Sequence, residues 1–210
     1  MKPLSQGAVV ALGAAWLVAV AGGFVALATY KLTPGAARAV AATWPQRTQV
    51  RPAPDRATLL LFAHPRCACT RATLSELAGL MARYGDRLDA WVLFAAPEGT
   101  GEDFSRTDLW SGAARIPGVH VLRDERALEA ERFGVATSGT VALYDARGKL
   151  LFHGGITPAR GHEGDSFGRE RIVSLLTTGK SDRADAPVFG CALSNHGPVR
   201  VADASQRENR

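Results

Sequence analysis

A mixed α/β domain, with helices on both faces of a central sheet and one apolar helix ahead of it, is the fold class this sequence predicts. Three observations carry the expectation. From residue 57 onward, short apolar runs alternate with segments of helical period in the order βαβαβαββα. The last two apolar runs face each other across Ala146-Arg147-Gly148, the signal of an antiparallel hairpin. Ahead of them, the stretch from Ala8 to Thr29 has no charge and is long enough to cross a bilayer as a helix.

Each element follows from its residues. "TLLLFAH" is a buried strand broken by Pro65. Leu74, Leu77, Leu80, Met81 and Tyr84 then recur at helical spacing, with Gly85 at the C-cap. "LDAWVLFAAP" (88–97) is a second strand, and "DFSRTDLWSGAARIPG" (103–118) a helix closed by Pro117-Gly118. "VHVL" (119–122) is a third strand and "RALEAERF" (126–133) a short helix. "TVALYD" (140–145) and "KLLFHGG" (149–155) form the hairpin, and "GRERIVSLL" (168–176) a last amphipathic helix.

The 210 residues, 46% hydrophobic and 21% charged, have room for one globular domain and an extra segment. The expected division is a membrane anchor over 1–30, a proline-rich linker over 31–56, the α/β domain over 57–179 and a tail over 180–210. The net charge of +5 comes from arginines scattered among acids, so nucleic acid is not an expected partner. A secretory signal competes with the anchor, because Ala26-Leu27-Ala28 resembles a cleavage site. The apolar run nevertheless exceeds the roughly 7–15 residues of a signal core, which favours an uncleaved anchor through residues 8–29. Lys2 lies on one side of it and Lys31 and Arg38 on the other, so charge alone does not orient it.

The chemistry concentrates in "HPRCACT". Three cysteines are too few for a disulfide scaffold and point to reactivity. A thiol acts as nucleophile or soft ligand only as a thiolate, and the amides at a helix N-terminus favour an anion there. Cys67 and Cys69 fall at that junction, flanked by Arg66 and Arg71, with His64 as a proton carrier. A Cys67–Cys69 bond requires an irregular first turn, which implies strain and easy reduction. Copper or zinc is the alternative, with Cys67, Cys69 and Cys191 as ligands and His64, His153 and His162 as further candidates. Cys191, in "VFGCAL", is open to three readings: packing residue, resolving thiol or third ligand. The glycine-rich loop 154–165 reads as a flexible surface loop or as a rim around the thiols.

A buried strand ending at a cysteine that opens a helix, followed later by a hairpin and a terminal helix, resembles the thioredoxin superfamily. The chain is most similar to membrane-anchored bacterial thiol–disulfide proteins of the RedB type, through "TPGAA", "FAHPRCACTRATLSEL", "FGVATSGTVALYDARGKLLFHGGIT", "RGHEGD" and "PVFGCAL". The resemblance covers roughly residues 33 to 193. It implies a thioredoxin-like fold and a thiol–disulfide oxidoreductase on the periplasmic side of the bacterial inner membrane, exchanging with protein thiols or disulfides of the envelope and needing no cofactor. Copper delivery on the same fold and a non-catalytic binding module are the alternatives.

Carried onto this chain, the resemblance makes Cys67 the attacking thiol and Cys69 its nearest partner. His64, Arg66, Thr70, Ser138, Gly139 and Thr140 would support them. Two departures stand out. Thr70 occupies the place of the usual second cysteine, and Gly139 stands where the family has a cis-proline, leaving Ser138-Gly139-Thr140 to supply the backbone contact to a substrate.

Overall fold

The computed structural model describes residues 5–193. The first residues of the expected anchor, including Lys2, and residues 194–210 of the expected tail lie outside them. The first helix, α1 (Gln6–Leu32), spans 27 residues and opens on Ser5, whose side chain accepts the N–H of Ala8. It is long and apolar enough to cross a membrane, with no share of it buried against the rest of the chain.

The domain follows as β1 (Ala57–Ala63), α2 (Ala68–Tyr84), β2 (Leu88–Ala96), α3 (Glu102–Ser105), α4 (Asp108–Ala114), β3 (Val119–Glu125), α5 (Leu128–Arg132), β4 (Thr140–Tyr144), β5 (Leu150–Gly154) and α6 (Phe167–Thr178). The five strands make one sheet in the order β3-β2-β1-β4-β5. β1 runs parallel to β2 and β2 parallel to β3, whereas β4 is antiparallel to both β1 and β5.

Strand alternation divides the core between the two faces. Leu59 and Leu61 of β1 point with Val92, Phe94 and Leu143 toward Leu77 and Leu80 of α2, Leu109 of α4 and Ile172 of α6. Leu60 and Phe62 point the other way, with Leu93, Ala142 and Tyr144, toward Ala130 of α5 and Phe133. Among the described residues this second face has one short helix, and the chain completes it with the linker and the tail: Val50 and Leu193 are both buried in it. Trp44 stands edge-on to Phe133 and Tyr144, with ring centroids 5.3 Å and 5.1 Å away, and the Tyr144 hydroxyl donates to the carbonyl of Ala41 at 2.8 Å. The proline-rich linker thus lies along the domain as part of its core.

Two local expectations need correction. The helix expected over 103–118 is two short helices, because Arg106 leaves helical geometry at φ −80°, ψ 58°. The helix expected from Arg126 starts at Leu128, because Arg126 and Ala127 both take positive φ (54°) in the turn that follows β3. Asp124 then caps α5, its carboxylate accepting the N–H groups of Glu129 at 2.7 Å and Ala130 at 3.0 Å.

Candidate functional site

β1 ends at Ala63 and α2 begins at Ala68, and the four residues between them turn the chain so that Cys67 is the helix N-cap. The turn is closed by the N–H of Cys67 on the carbonyl of His64 at 3.2 Å and that of Thr70 on the carbonyl of Cys67 at 3.0 Å. Cys67 thereby sits over the free amides of the first helical turn, where an anion is favoured.

The sulfur facing it comes from the far end of the chain: Cys67 Sγ and Cys191 Sγ lie 3.2 Å apart. Cys191, which the sequence left open as packing residue, resolving thiol or third ligand, thus stands against Cys67, and Cys69, expected as its nearest partner, also interacts with it. Cys67 is 4% exposed and Cys69 7% exposed, whereas Cys191 is exposed.

Cys191 arrives on a strand-like tail. Thr137 and Ala192 form an antiparallel bridge. On either side of it, the N–H of Ser138 donates to the carbonyl of Cys191 at 2.8 Å and the N–H of Leu193 to the carbonyl of Ala136 at 2.9 Å. Contact is close enough to require glycine before the cysteine, since a Cβ on Gly190 would stand 1.8 Å from the carbonyl oxygen of Ser138. The tail therefore pairs with the very loop expected to offer backbone contacts to a substrate.

Ser138 joins this tail to the thiol turn. Its Oγ accepts the N–H of His64 at 2.8 Å and lies 3.1 Å from Thr70 Oγ1, which donates to the carbonyl of His64 at 3.0 Å. Gly139 holds φ at +87° and donates its N–H to the carbonyl of Phe62 at 2.8 Å. Thr140 Oγ1 donates to the carbonyl of Thr137 at 2.6 Å, tightening the same loop. Thr70, Ser138, Gly139 and Thr140 are thus all part of the framework around Cys67, with none of their side-chain hydroxyls bonded to a sulfur among the described residues.

The three thiols differ electrostatically. Burial alone raises Cys67, but the hydrogen bond from the Cys191 thiol and the backbone N–H groups of Cys191, Cys69 and Thr70 outweigh it and bring Cys67 below the ordinary thiol range. Burial pushes Cys191 up to about 11, helped by its hydrogen bond to Cys67 and by the negative charge there. Cys69 is raised by burial and by the Cys67 thiolate, with partial relief from the N–H of Gly161 and the charge of Arg160. Of the pair, Cys67 is therefore the thiol that gives up its proton more readily and Cys191 the one that keeps it.

The flanking groups make contacts of their own. Arg66 lies over the Phe104 ring, 4.7 Å from its centroid, and Arg71 pairs with Asp108 at the surface. His64 is lowered by burial and by Arg66, and its Nδ1 accepts the N–H of Arg66 at 3.2 Å. The cation that bears on Cys69 and Cys191 is Arg160, which the sequence reading passed over. Its guanidinium donates to the carbonyl of Gly190 at 2.6 Å and to those of Tyr30 and Thr33 at 3.2 Å each. One side chain therefore ties the C-terminal end of α1 to the residue before Cys191. The only sequence signal was a lone arginine in a glycine-rich loop, which has no periodicity to betray its direction.

Of the ligands expected for copper, Cys67 and Cys191 adjoin and Cys69 bears on both, whereas the histidines stand elsewhere. Among the described residues, no three His, Cys, Asp or Glu side chains are gathered as a metal cage. His153 lies instead beside Asp185, in the wall of a separate cavity of about 350 Å³ behind the tail. His162 turns its Nδ1 to the carbonyl of Arg160 at 2.7 Å.

No family model matches the chain, and no curated protein does either. Solved structures do. A hypothetical protein of Sinorhizobium meliloti is 23% identical, with a TM-score of 0.53 over 67% of this chain and 80% of that one. An uncharacterized conserved protein of Geobacillus kaustophilus is 19% identical, with a TM-score of 0.55 over 66% of this chain and 77% of its own. The exposed lipoprotein thioredoxin of Streptococcus pneumoniae is 23% identical, with a TM-score of 0.42 over 59% of this chain and 84% of that one. Three parallel strands, an antiparallel pair closing the sheet and a cysteine capping the helix after the first strand make the fold thioredoxin-like.

Proposed function

We propose that the protein is a thiol–disulfide oxidoreductase whose working pair is Cys67 and Cys191, anchored by α1 in the bacterial inner membrane with its domain in the periplasm. The observation that carries this reading is the 3.2 Å between the two sulfurs, on segments fixed by independent backbone bonds. Disulfide formation requires the sulfurs to close by only about 1.2 Å, to a bonded length of roughly 2.05 Å.

In one half of the cycle, the Cys67 thiolate and the Cys191 thiol give up two electrons and one proton, and one sulfur–sulfur bond forms. An envelope protein disulfide takes both electrons and is released as a dithiol. In the other half, a partner dithiol reduces the pair. Stabilisation of the Cys67 thiolate favours the reduced form, which makes the disulfide form the better oxidant. The outside location follows from the same chemistry, since a lasting disulfide belongs to an oxidising compartment.

The test is a titration of the purified full chain in a dithiol redox buffer, with thiols followed by mass spectrometry. A reversible loss of two hydrogens that maps to Cys67 and Cys191 is expected. Stoichiometric Cu(I) retention without that loss would overturn the reading. In spheroplasts, a membrane-impermeant thiol reagent should label Cys191, and labelling only after lysis would overturn the periplasmic placement.

A further inference from the structure

In this superfamily's ordinary arrangement, the cysteine that caps the helix meets the partner. Here that cysteine is covered. Cys67 is 4% exposed beneath a tail held by Ser138, Ala136 and Arg160, and Leu193 beyond it is 3% exposed in the core. Of the two sulfurs in the pair, only Cys191 belongs to an exposed residue.

We propose that the partner exchanges with Cys191 and not with Cys67: the tail cysteine is the sulfur attacked in the oxidised protein, and Cys67 is the internal leaving group. The proposal rests on the assignment of Cys67 and Cys191 as the redox pair. A thiolate of a partner protein dithiol attacks Cys191 Sγ, the Cys67–Cys191 bond breaks, and its electron pair leaves on Cys67. The partner's second thiolate then attacks the partner sulfur of the mixed disulfide, and Cys191 departs with the other pair and takes up a proton. The partner is oxidised to a disulfide by two electrons, and the chain is reduced by the same two.

Three features of the site suit this order. The sulfur that leaves is the one at the N-cap of α2, where the helix end favours an anion, and a better-stabilised thiolate leaves faster. Arg160, which bears on Cys191, supplies positive charge where an incoming thiolate must arrive. Gly190 and Ala192 on either side of Cys191 put no bulky side chain next to it. Attack at Cys67 would instead require stripping a strand whose paired N–H and carbonyl groups and buried leucine all resist removal.

The experiment uses the oxidised full chain in detergent and glutathione as the probe. A brief reaction is quenched with acid, remaining thiols are capped with N-ethylmaleimide, and peptides are mapped by mass spectrometry. Glutathione on Cys191 with maleimide on Cys67 is expected, in at least about tenfold excess over the reverse pattern. The same pattern is expected in Cys69→Ser, which removes the third thiol through which an adduct could migrate. Glutathione on Cys67 with maleimide on Cys191, or equal amounts of the two, would overturn the proposal. Failure of the Cys67–Cys191 disulfide to form during the initial oxidation would overturn the pair itself, a result visible before glutathione is added.

Discussion

The backbone N–H of Ser138 donates to the carbonyl of Cys191 at 2.8 Å, while its hydroxyl accepts the N–H of His64 at 2.8 Å. One residue, fully buried, thus joins the tail that brings one sulfur to the turn that brings the other. The Ser138→Ala variant keeps the first bond and loses the second, leaving a part-buried N–H without its acceptor. The expected cost is about 1–3 kcal/mol. Urea unfolding of the full chain in detergent, followed by tryptophan fluorescence, checks it; an unchanged midpoint would show that the hydroxyl contributes nothing.

Gly190→Ala tests how closely the tail must approach. The new methyl would stand 1.8 Å from the Ser138 carbonyl oxygen, which is backbone and has no rotamer by which to move. The tail must lift, so formation of the Cys67–Cys191 disulfide in a glutathione redox buffer should fall at least about tenfold, a difference of about 1.4 kcal/mol. Alkylation of Cys67 should rise in parallel. Unchanged rates for both would mean that the tail does not cover Cys67 in solution.

Arg160 separates charge from attachment. Its positive charge lowers Cys191, whose thiol stands at about 11, so Arg160→Gln should move the alkylation profile of Cys191 to higher pH. Arg160→Lys retains the charge but not a fork able to reach Gly190, Tyr30 and Thr33 together. It should restore the pH profile while leaving tail cleavage by protease as fast as in Arg160→Gln. Equal profiles in all three proteins would remove Arg160 from the site.

Local pattern made the sheet legible from the sequence, because the alternation of Leu59, Leu60, Leu61 and Phe62 and the turn at Ala146-Arg147-Gly148 are local signals. Cys67 was legible for the same reason, as a cysteine at the point where a strand period gives way to a helical one. Cys191 was legible as one of several possible partners but could not be chosen among them, since a contact spanning 124 positions leaves no mark on its neighbours. Arg160 and the core roles of Val50 and Leu193 were missed because non-local backbone pairing and a half-empty sheet face, not periodicity, put them there.

Asp124 makes the stability of the domain depend on pH. Burial raises its carboxyl to about 6 despite the N–H groups of Ala130 and Glu129, and Glu129 nearby raises it further. A folded value above the unfolded one means that the folded state holds the proton more tightly, so the contribution is full below about pH 4 and lost as pH rises through about 6. The gap corresponds to on the order of 3 kcal/mol. Asp124→Asn should remove this part of the slope while keeping one acceptor for the α5 cap. Unfolding midpoints measured from pH 4 to 7 check it, and identical slopes in the two proteins would refute the assignment.

Gly139→Pro places a proline where the thioredoxin resemblance expects one. Gly139 sits at φ +87° and gives its N–H to Phe62, whereas proline is held near −65° and has no N–H to give. The substitution should therefore destabilise by about 3 kcal/mol or more. Gly139→Ala keeps the N–H, meets Thr73 Oγ1 at 3.3 Å and should cost only about 1–2 kcal/mol for the left-handed backbone. Urea midpoints in the order wild type, alanine, proline are expected, with the alanine variant still forming the Cys67–Cys191 disulfide. A proline variant as stable as wild type would show that this loop does not need the positive φ of Gly139, and the tail pairing built on Ala136 and Ser138 would fall with it.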